Sequence, residues 1–301
     1  MLLHDDHVHL RAHNIPPEPH NLTAMLEEAE KRGLAVGIRE HPPLPKKFRL
    51  GPYADFDYAM REDEVDGFLK LFADTKCSVG FEFDFLAGEE NEIISILDRI
   101  TKKTKEKGVS ISGIHGSVHL LPGSVKDVDY PKGDVKHIIW DLDEEVFIAH
   151  LKDRGPKQLL HDYFGAMHDL IKLGIYDCLS HIDLIRKFDR RNQAGESIYF
   201  SEAEKLYDML SRSVVERVKD SGMAIEINTA GMFQPLGRPY ISQELLNYAV
   251  ELGVPVCIGS DAHTPARLGA HFDLALKMLE SAGRDYIVTF QNREMEKYSL
   301  P

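Results

Sequence analysis

The sequence predicts a closed parallel α/β barrel, and three observations predict it. Short apolar runs alternate with helical patterns along all 301 residues. Seven or eight such runs occur. No Pro/Gly/Ser-rich linker or shift in composition divides the chain. A strand followed by an amphipathic helix is a βα unit, and successive units build a parallel sheet. This many units without a break imply one closed barrel spanning residues 1–301 rather than two domains.

The strand candidates are 3–9 (LHDDHVH), 35–40 (AVGIRE), 78–85 (SVGFEFDF), 109–116 (VSISGIHG), 177–182 (DCLSHI), 224–229 (AIEINT) and 255–261 (VPVCIGSD), with a weaker run at 286–290 (YIVTF). Between them, Asn21 caps a helix bearing Leu22, Met25, Leu26 and Ala29, which Gly33 ends. Segment 91–107 sets Ile93, Leu97, Ile100 and Thr104 on one face and stops at Gly108. Ser201 and Glu204 have capping-box spacing, and Thr264-Pro265 has the form of an N-cap and N1 pair opening a helix over 266–282. Two long excursions, 42–61 and 121–141, follow the second and fourth strands. Loops after strands lie on the active-site face of such a barrel, and both carry aromatics among charges, so they are expected to wall a substrate site.

Composition bounds the function. Hydrophobic residues make up 43%, enough for a large core, and the net charge of −13 argues against a nucleic-acid groove. Cys77, Cys178 and Cys257 are odd in number and dispersed in sequence, which fits buried reduced thiols better than disulfides or a zinc knuckle. No basic leader or membrane-length apolar stretch is present, so a cytoplasmic protein with no membrane partner is expected.

Ligand-type residues end most of these strands: His7 and His9; Glu40 and His41; Glu82 and Asp84; His115 and His119; His181 and Asp183; Glu226 and Asn228; Asp261 and His263. In a strand, residues i and i+2 face the same side, so His7 and His9, and again Asp261 and His263, present two donors to one point. Nitrogen and carboxylate donors without thiolate suit Zn, Fe, Mn or Ni rather than an iron–sulfur cluster, and Zn, Fe or Mn is expected. A carboxylate such as Glu82 can bridge two cations. Asp84 and Asp183 are candidates to orient imidazoles rather than bind metal, and Glu226 and Asn228 to close polar hydrogen bonds at the mouth. His4, His20, His137, His150, His161, His168 and His271 are set aside as histidines of helices or loops.

The motifs HVH (7–9), REHPPLP (39–45), GFEFDF (80–85), GSVHLLPG (116–123), SHIDLIRKF (180–188), EINTAG (226–231) and GSDAHTP (259–265) resemble, in order, those of the polymerase and histidinol phosphatase (PHP) superfamily. Within it they look most like the histidinol-phosphate phosphatase branch. The resemblance implies a distorted (β/α)7, TIM-barrel-like fold and two or three divalent metal ions. It assigns His7, His9, Glu82 and Asp261 to one metal and Glu82, His119 and His181 to a second. His41 and His263, with a histidine soon after HVH, would hold a third. Here the nearest such histidine is His13, closer to HVH than in the family, with His20 as the alternative. His115 lies four residues before His119, and the GSVH motif favours His119 as the ligand.

The implied reaction is hydrolysis of L-histidinol phosphate to L-histidinol and inorganic phosphate, in histidine biosynthesis. Asp261 and His263 are expected to act in catalysis, with His263 assisting the leaving oxygen. Arginine is the best bidentate donor to phosphate, and Arg186 is the first choice, ahead of Arg39, Arg154 and Arg267. Glu40, Asp84, Asp55 and Asp57 are the acidic candidates to select a cationic substrate. Competing readings are a PHP-type esterase acting on another small ester, nucleotides or oligonucleotides, and an amidohydrolase-like C–N hydrolase. The last usually places a lysine where Glu82 stands.

Overall fold

The structure, a computed structural model, describes residues 3–11, 19–49, 59–75, 77–122 and 137–300. The first four strands are β1 (Leu3–Val8), β2 (Leu34–Glu40), β3 (Ser78–Asp84) and β4 (Ile111–Ser117). A small antiparallel pair follows, β5 (Leu120–Pro122) with β6 (His137–Ile139). β7 (Cys178–Leu179), β8 (Ala224–Asn228) and β9 (Val256–Gly259) complete the main sheet, and a hairpin of β10 (Tyr286–Gln291) and β11 (Glu294–Ser299) ends the chain.

Seven strands pair in parallel in the order β1-β2-β3-β4-β7-β8-β9. The chain closes this sheet just past the end of β9. Asp261 N–H donates to His7 O at 2.8 Å, and His9 N–H donates to Ala262 O at 2.9 Å. The barrel is irregular because register shifts between Asp5 and Val8 in β1 and between Val79 and Phe81 in β3. At the base the strands crowd: a Cβ on Gly80 would lie 2.0 Å from Gly113 O, so neither strand has room for a side chain there.

The helices cover the outside. They are α1 (Pro19–Arg32), the short α2 (Lys46–Arg49) and α3 (Val65–Lys70), α4 (Glu90–Lys107), α5 (Glu144–Leu173), α6 (Glu204–Ser221), α7 (Gln243–Glu251) and α8 (Phe272–Ser281). α4 buries Ile93, Leu97, Ile100 and Thr104, the face read from the sequence, and stops where Gly108 takes a left-handed φ of 68°.

Four expectations need correction. The 286–290 run is no further barrel strand; it pairs antiparallel with β11, and the hairpin packs under the base, with Phe290 against His115 and Tyr298 against His4. α1 starts at Pro19, two residues ahead of Asn21. Ser201 and Glu204 do not form a capping box: a 3₁₀ turn over Ser201–Ala203 precedes α6, and the Glu204 carboxylate goes to Arg186 and Arg191. Pro265 opens only a 3₁₀ turn, and α8 begins at Phe272. Of the two long excursions, residues 50–58 and 123–136 lie outside the described residues.

Candidate metal centre

Strand ends converge at the barrel mouth around one carboxylate. Glu82, near the end of β3, is 1% exposed, and its two oxygens face different imidazoles. Oε2 lies 3.1 Å from His7 Nε2, 3.3 Å from His9 Nε2 and 3.3 Å from His41 Nε2. Oε1 lies 2.8 Å from His181 Nε2 and 3.5 Å from His119 Nε2. His9 Nε2 is also 3.2 Å from Asp261 Oδ1. Bonds of ~2.0–2.1 Å to a tetrahedral cation set ligand–ligand edges of about 3.3 Å. The observed spacings match such edges, so these residues fit divalent cations on either side of Glu82.

A further set of acceptors fixes the rings. His7 Nδ1 donates to Glu226 Oε1 at 2.7 Å, His119 Nδ1 pairs with Asp141 Oδ2 at 3.1 Å, and His9 Nδ1 with Glu40 Oε1 at 3.4 Å. His263 Nδ1 meets the Asp261 carbonyl at 2.9 Å. An acceptor on Nδ1 makes that nitrogen the proton carrier and turns the Nε2 lone pair to the metal. Glu226 also accepts from His181 N–H at 3.0 Å and from Asn228, whose amide reaches Asp261 Oδ2 at 3.2 Å. Packing enforces this: a Cβ on Gly259 would fall 2.1 Å from Glu226 Oε1 and 2.5 Å from His7 Cβ.

Electrostatics follow from the crowding. Burial opposes charge on His7 and His9, yet the carboxylates of Glu226, Glu82, Asp261 and Glu40 outweigh it and hold both imidazoles well above their ordinary range. The same holds for His119 beside Asp141 and Asp84. Burial likewise works against ionising Glu82 and Asp261, but the surrounding histidines keep both well below the usual carboxylate range. The ionised carboxylates here hold protons on the imidazoles, and a divalent cation would take the place of those protons, leaving neutral rings as donors.

The mouth opens into a cavity of about 560 Å³, within the ~300–1,000 Å³ usual for small-molecule sites. His41, Glu82, His119, Asp261 and His263 form its floor, and Asp141, Leu142, Lys187, Phe233, Tyr240 and Arg267 line it above.

The structure thus brings together His7, His9, His41, Glu82, His119, His181, Asp261 and His263. It places them differently from expectation in some respects. β9 ends at Gly259 and Asp261 has a left-handed φ of 53°, so Asp261 and His263 do not share a strand face. They reach the mouth through the closing turn, and their donors still gather within 4.8 Å of His9. His41 groups with Glu82 and His119. Its ring stacks on His9, which also stacks on His263. His13 lies outside the described residues, as do Asp55 and Asp57.

Arg186 is a correction. It is 2% exposed and does not line the cavity. Its fork goes to Asp189 at 2.9 Å and Glu204 at 2.5 Å, and its guanidinium lies 3.8 Å from the Tyr207 ring centre. Arg39 is equally unsuited: it is fully buried below the mouth, paired with Asp6 and Ser112. Glu40 is spent on Leu10 N–H, Arg11 N–H and His9, so it does not select substrate. Arg154, also ranked below Arg186, forms an ion pair with Asp162. Arg267, ranked below Arg186 from sequence, stands on the cavity wall with its guanidinium 3.4 Å from the Phe233 ring centre. Asp141 and Lys187 were missed. Lys187 Nζ donates to the Asp141 carbonyl at 2.6 Å and lies 3.3 Å from its carboxylate. Lys187 adjoins Arg186, and nothing in the sequence says which of the two faces inward.

Two curated relatives resemble the chain at the sequence level. A probable histidinol-phosphatase of Deinococcus radiodurans is 30% identical over 171 residues, 56% of this chain and 60% of that protein. The histidinol-phosphatase of Bacillus subtilis is 25% identical over 292 residues, 91% of this chain and 98% of that protein. Both carry the name histidinol-phosphatase, the first as probable. No family model matches the chain. Among solved structures, the hisK protein of Listeria monocytogenes superposes with a TM-score of 0.71 at 22% identity, covering 90% of this chain and 99% of that one. The histidinol phosphate phosphatase of Lactococcus lactis, complexed with zinc, L-histidinol and phosphate, gives a TM-score of 0.63 at 18% identity over 98% of both chains. At these identities the two structures speak for the fold, a distorted TIM-like barrel. No helix among the described residues is long and apolar enough to cross a membrane.

Proposed function

We propose that the chain is a metal-dependent phosphomonoesterase of the PHP superfamily, hydrolysing L-histidinol phosphate to L-histidinol and inorganic phosphate. One observation carries the reading: the two oxygens of Glu82 divide five imidazoles into two groups at the floor of a substrate-sized cavity. The names of the curated relatives supply the substrate. L-Histidinol and phosphate bound to the Lactococcus lactis protein agree with it.

His7, His9, Glu82 and Asp261 would hold one divalent cation, and Glu82, His119 and His181 a second. Zinc, iron and manganese all suit these donors. When bound, such cations lower the pKa of water and neutralise charge on the phosphoryl oxygens. The remaining work falls to the chain. Glu226, Glu40 and Asp141 orient three of the rings. Lys187 and Arg267 carry positive charge to the cavity wall, where a phosphate entering the site meets them. His263 keeps its Nδ1 on the Asp261 carbonyl, so Nε2 is the nitrogen that would protonate the leaving oxygen. Leu142 and Phe233, both partly exposed at the rim, give the organic part of the substrate an apolar wall.

The test is release of inorganic phosphate from histidinol phosphate and a panel of small phosphomonoesters and nucleotides, before and after chelation. Preference for histidinol phosphate, lost on chelation and restored by metal, is the expected result. Preference for a nucleotide or phosphodiester would overturn the substrate assignment and keep the metal-dependent esterase.

A further inference from the structure

Below the mouth, the barrel axis holds three more donors that the proposed reaction leaves unused. Cys178 on β7, Cys257 on β9 and His115 on β4 are all fully buried, and one ligand atom from each lies within 4.8 Å of the others. The two Sγ atoms are 3.4 Å apart. Among the described residues, neither ring nitrogen of His115 has a hydrogen-bond partner. An imidazole buried with both nitrogens unsatisfied is costly, and the cost goes unexplained unless something binds there. Nearby Glu226 is already committed to His7, His181 and Asn228.

We propose that Cys178, Cys257 and His115 form a separate site for one thiophilic d¹⁰ cation at the base of the barrel. Two thiolates beside a neutral imidazole make a softer set than the imidazoles and carboxylates above them. Metal–sulfur bonds of ~2.3 Å would put the sulfurs about 3.8 Å apart in a tetrahedral site, a few tenths of an ångström beyond their present separation. Binding a divalent cation displaces two thiol protons and leaves a neutral assembly, as a buried site demands. Burial raises the Cys178 thiol well above its ordinary range, so only a strongly sulfur-seeking cation displaces that proton. His115 also groups with His7 and Glu226, so the lower site adjoins the upper one along the barrel axis.

The experiment titrates reduced, zinc-loaded protein with cadmium and follows the ultraviolet thiolate-to-cadmium charge-transfer band. The mouth has no sulfur donor, so exchange there is silent. The expected result is a band that saturates, persists in Cys77→Ser and disappears in the Cys178→Ala/Cys257→Ala variant. A wild-type protein without the band, a band that vanishes in Cys77→Ser, or one that survives the double substitution would overturn the proposal. Should the double variant fail to fold, the wild-type and Cys77→Ser titrations decide between these outcomes.

Discussion

His7 Nδ1 and Glu226 Oε1 are 2.7 Å apart, both fully buried, although 219 positions separate them in sequence. This bond orients one ring at the centre of the donor cluster, and the same carboxylate holds the His181 backbone. Orienting partners of this kind typically contribute on the order of 10–100-fold to metal affinity. Glu226→Gln is therefore expected to lower metal affinity by about that factor, measured by chelator competition, with the fold intact by circular dichroism. Unchanged affinity would remove Glu226 from this role.

Glu82→Ala takes away the group both sets of imidazoles share. Metal content and turnover should fall together, and turnover by more than about a hundredfold, the upper end for an orienting residue alone. A variant that keeps all its metal while losing activity would show that Glu82 is not the bridge.

Arg186 and Lys187 are neighbours with opposite expectations. Removing one partner of a buried ion pair costs about 3–5 kcal/mol, less where the pair is part-exposed, as Glu204 is. Arg186→Met should lower the melting temperature while leaving kcat/KM of the folded enzyme near normal. Lys187→Ala should do the reverse, reducing kcat/KM for the phosphate ester with little change in melting. Denaturation curves and steady-state kinetics on both variants separate the two roles.

His150 sets a pH dependence of stability. Burial first, and then the Arg154 charge, push its pKa from an ordinary 6.5 down to about 4. Between these values the unfolded chain binds a proton that the folded chain refuses, so stability falls as pH drops from about 6.5 toward 4. Neither ring nitrogen has a partner among the described residues, so His150→Leu orphans none of them. The variant should lose less stability than the parent between pH 7 and pH 5 in urea titrations. Parallel losses in the two proteins would count against this account.

The fold was legible because strand and helix rhythms are local. Seven strands lie where the apolar runs fall, and β7 shrank to Cys178–Leu179 because the chain turns at once to seat His181. The donor set was legible because ligand chemistry is confined to a few residue types at strand ends. What sequence withheld was direction. The Arg-Lys pair at 186–187 gave no sign of which cation turns inward, since Glu204 and Asp189 decide it from a distance. Asp141 was hidden in a polar loop, and only the fold carries it to His119. The terminal hairpin read as one more barrel strand because antiparallel return is a property of pairing, not of composition.

The seam between Asp261 and His7 has a consequence for biosynthesis. Donors from the first ten residues meet Asp261 and His263 only after residue 263 has left the ribosome and folded back. A shorter nascent chain carries most of the imidazoles but has no closed ring to hold them. Tight metal uptake thus reports that translation has passed the seam, and a chain truncated before it should bind metal no better than an unstructured histidine-rich peptide.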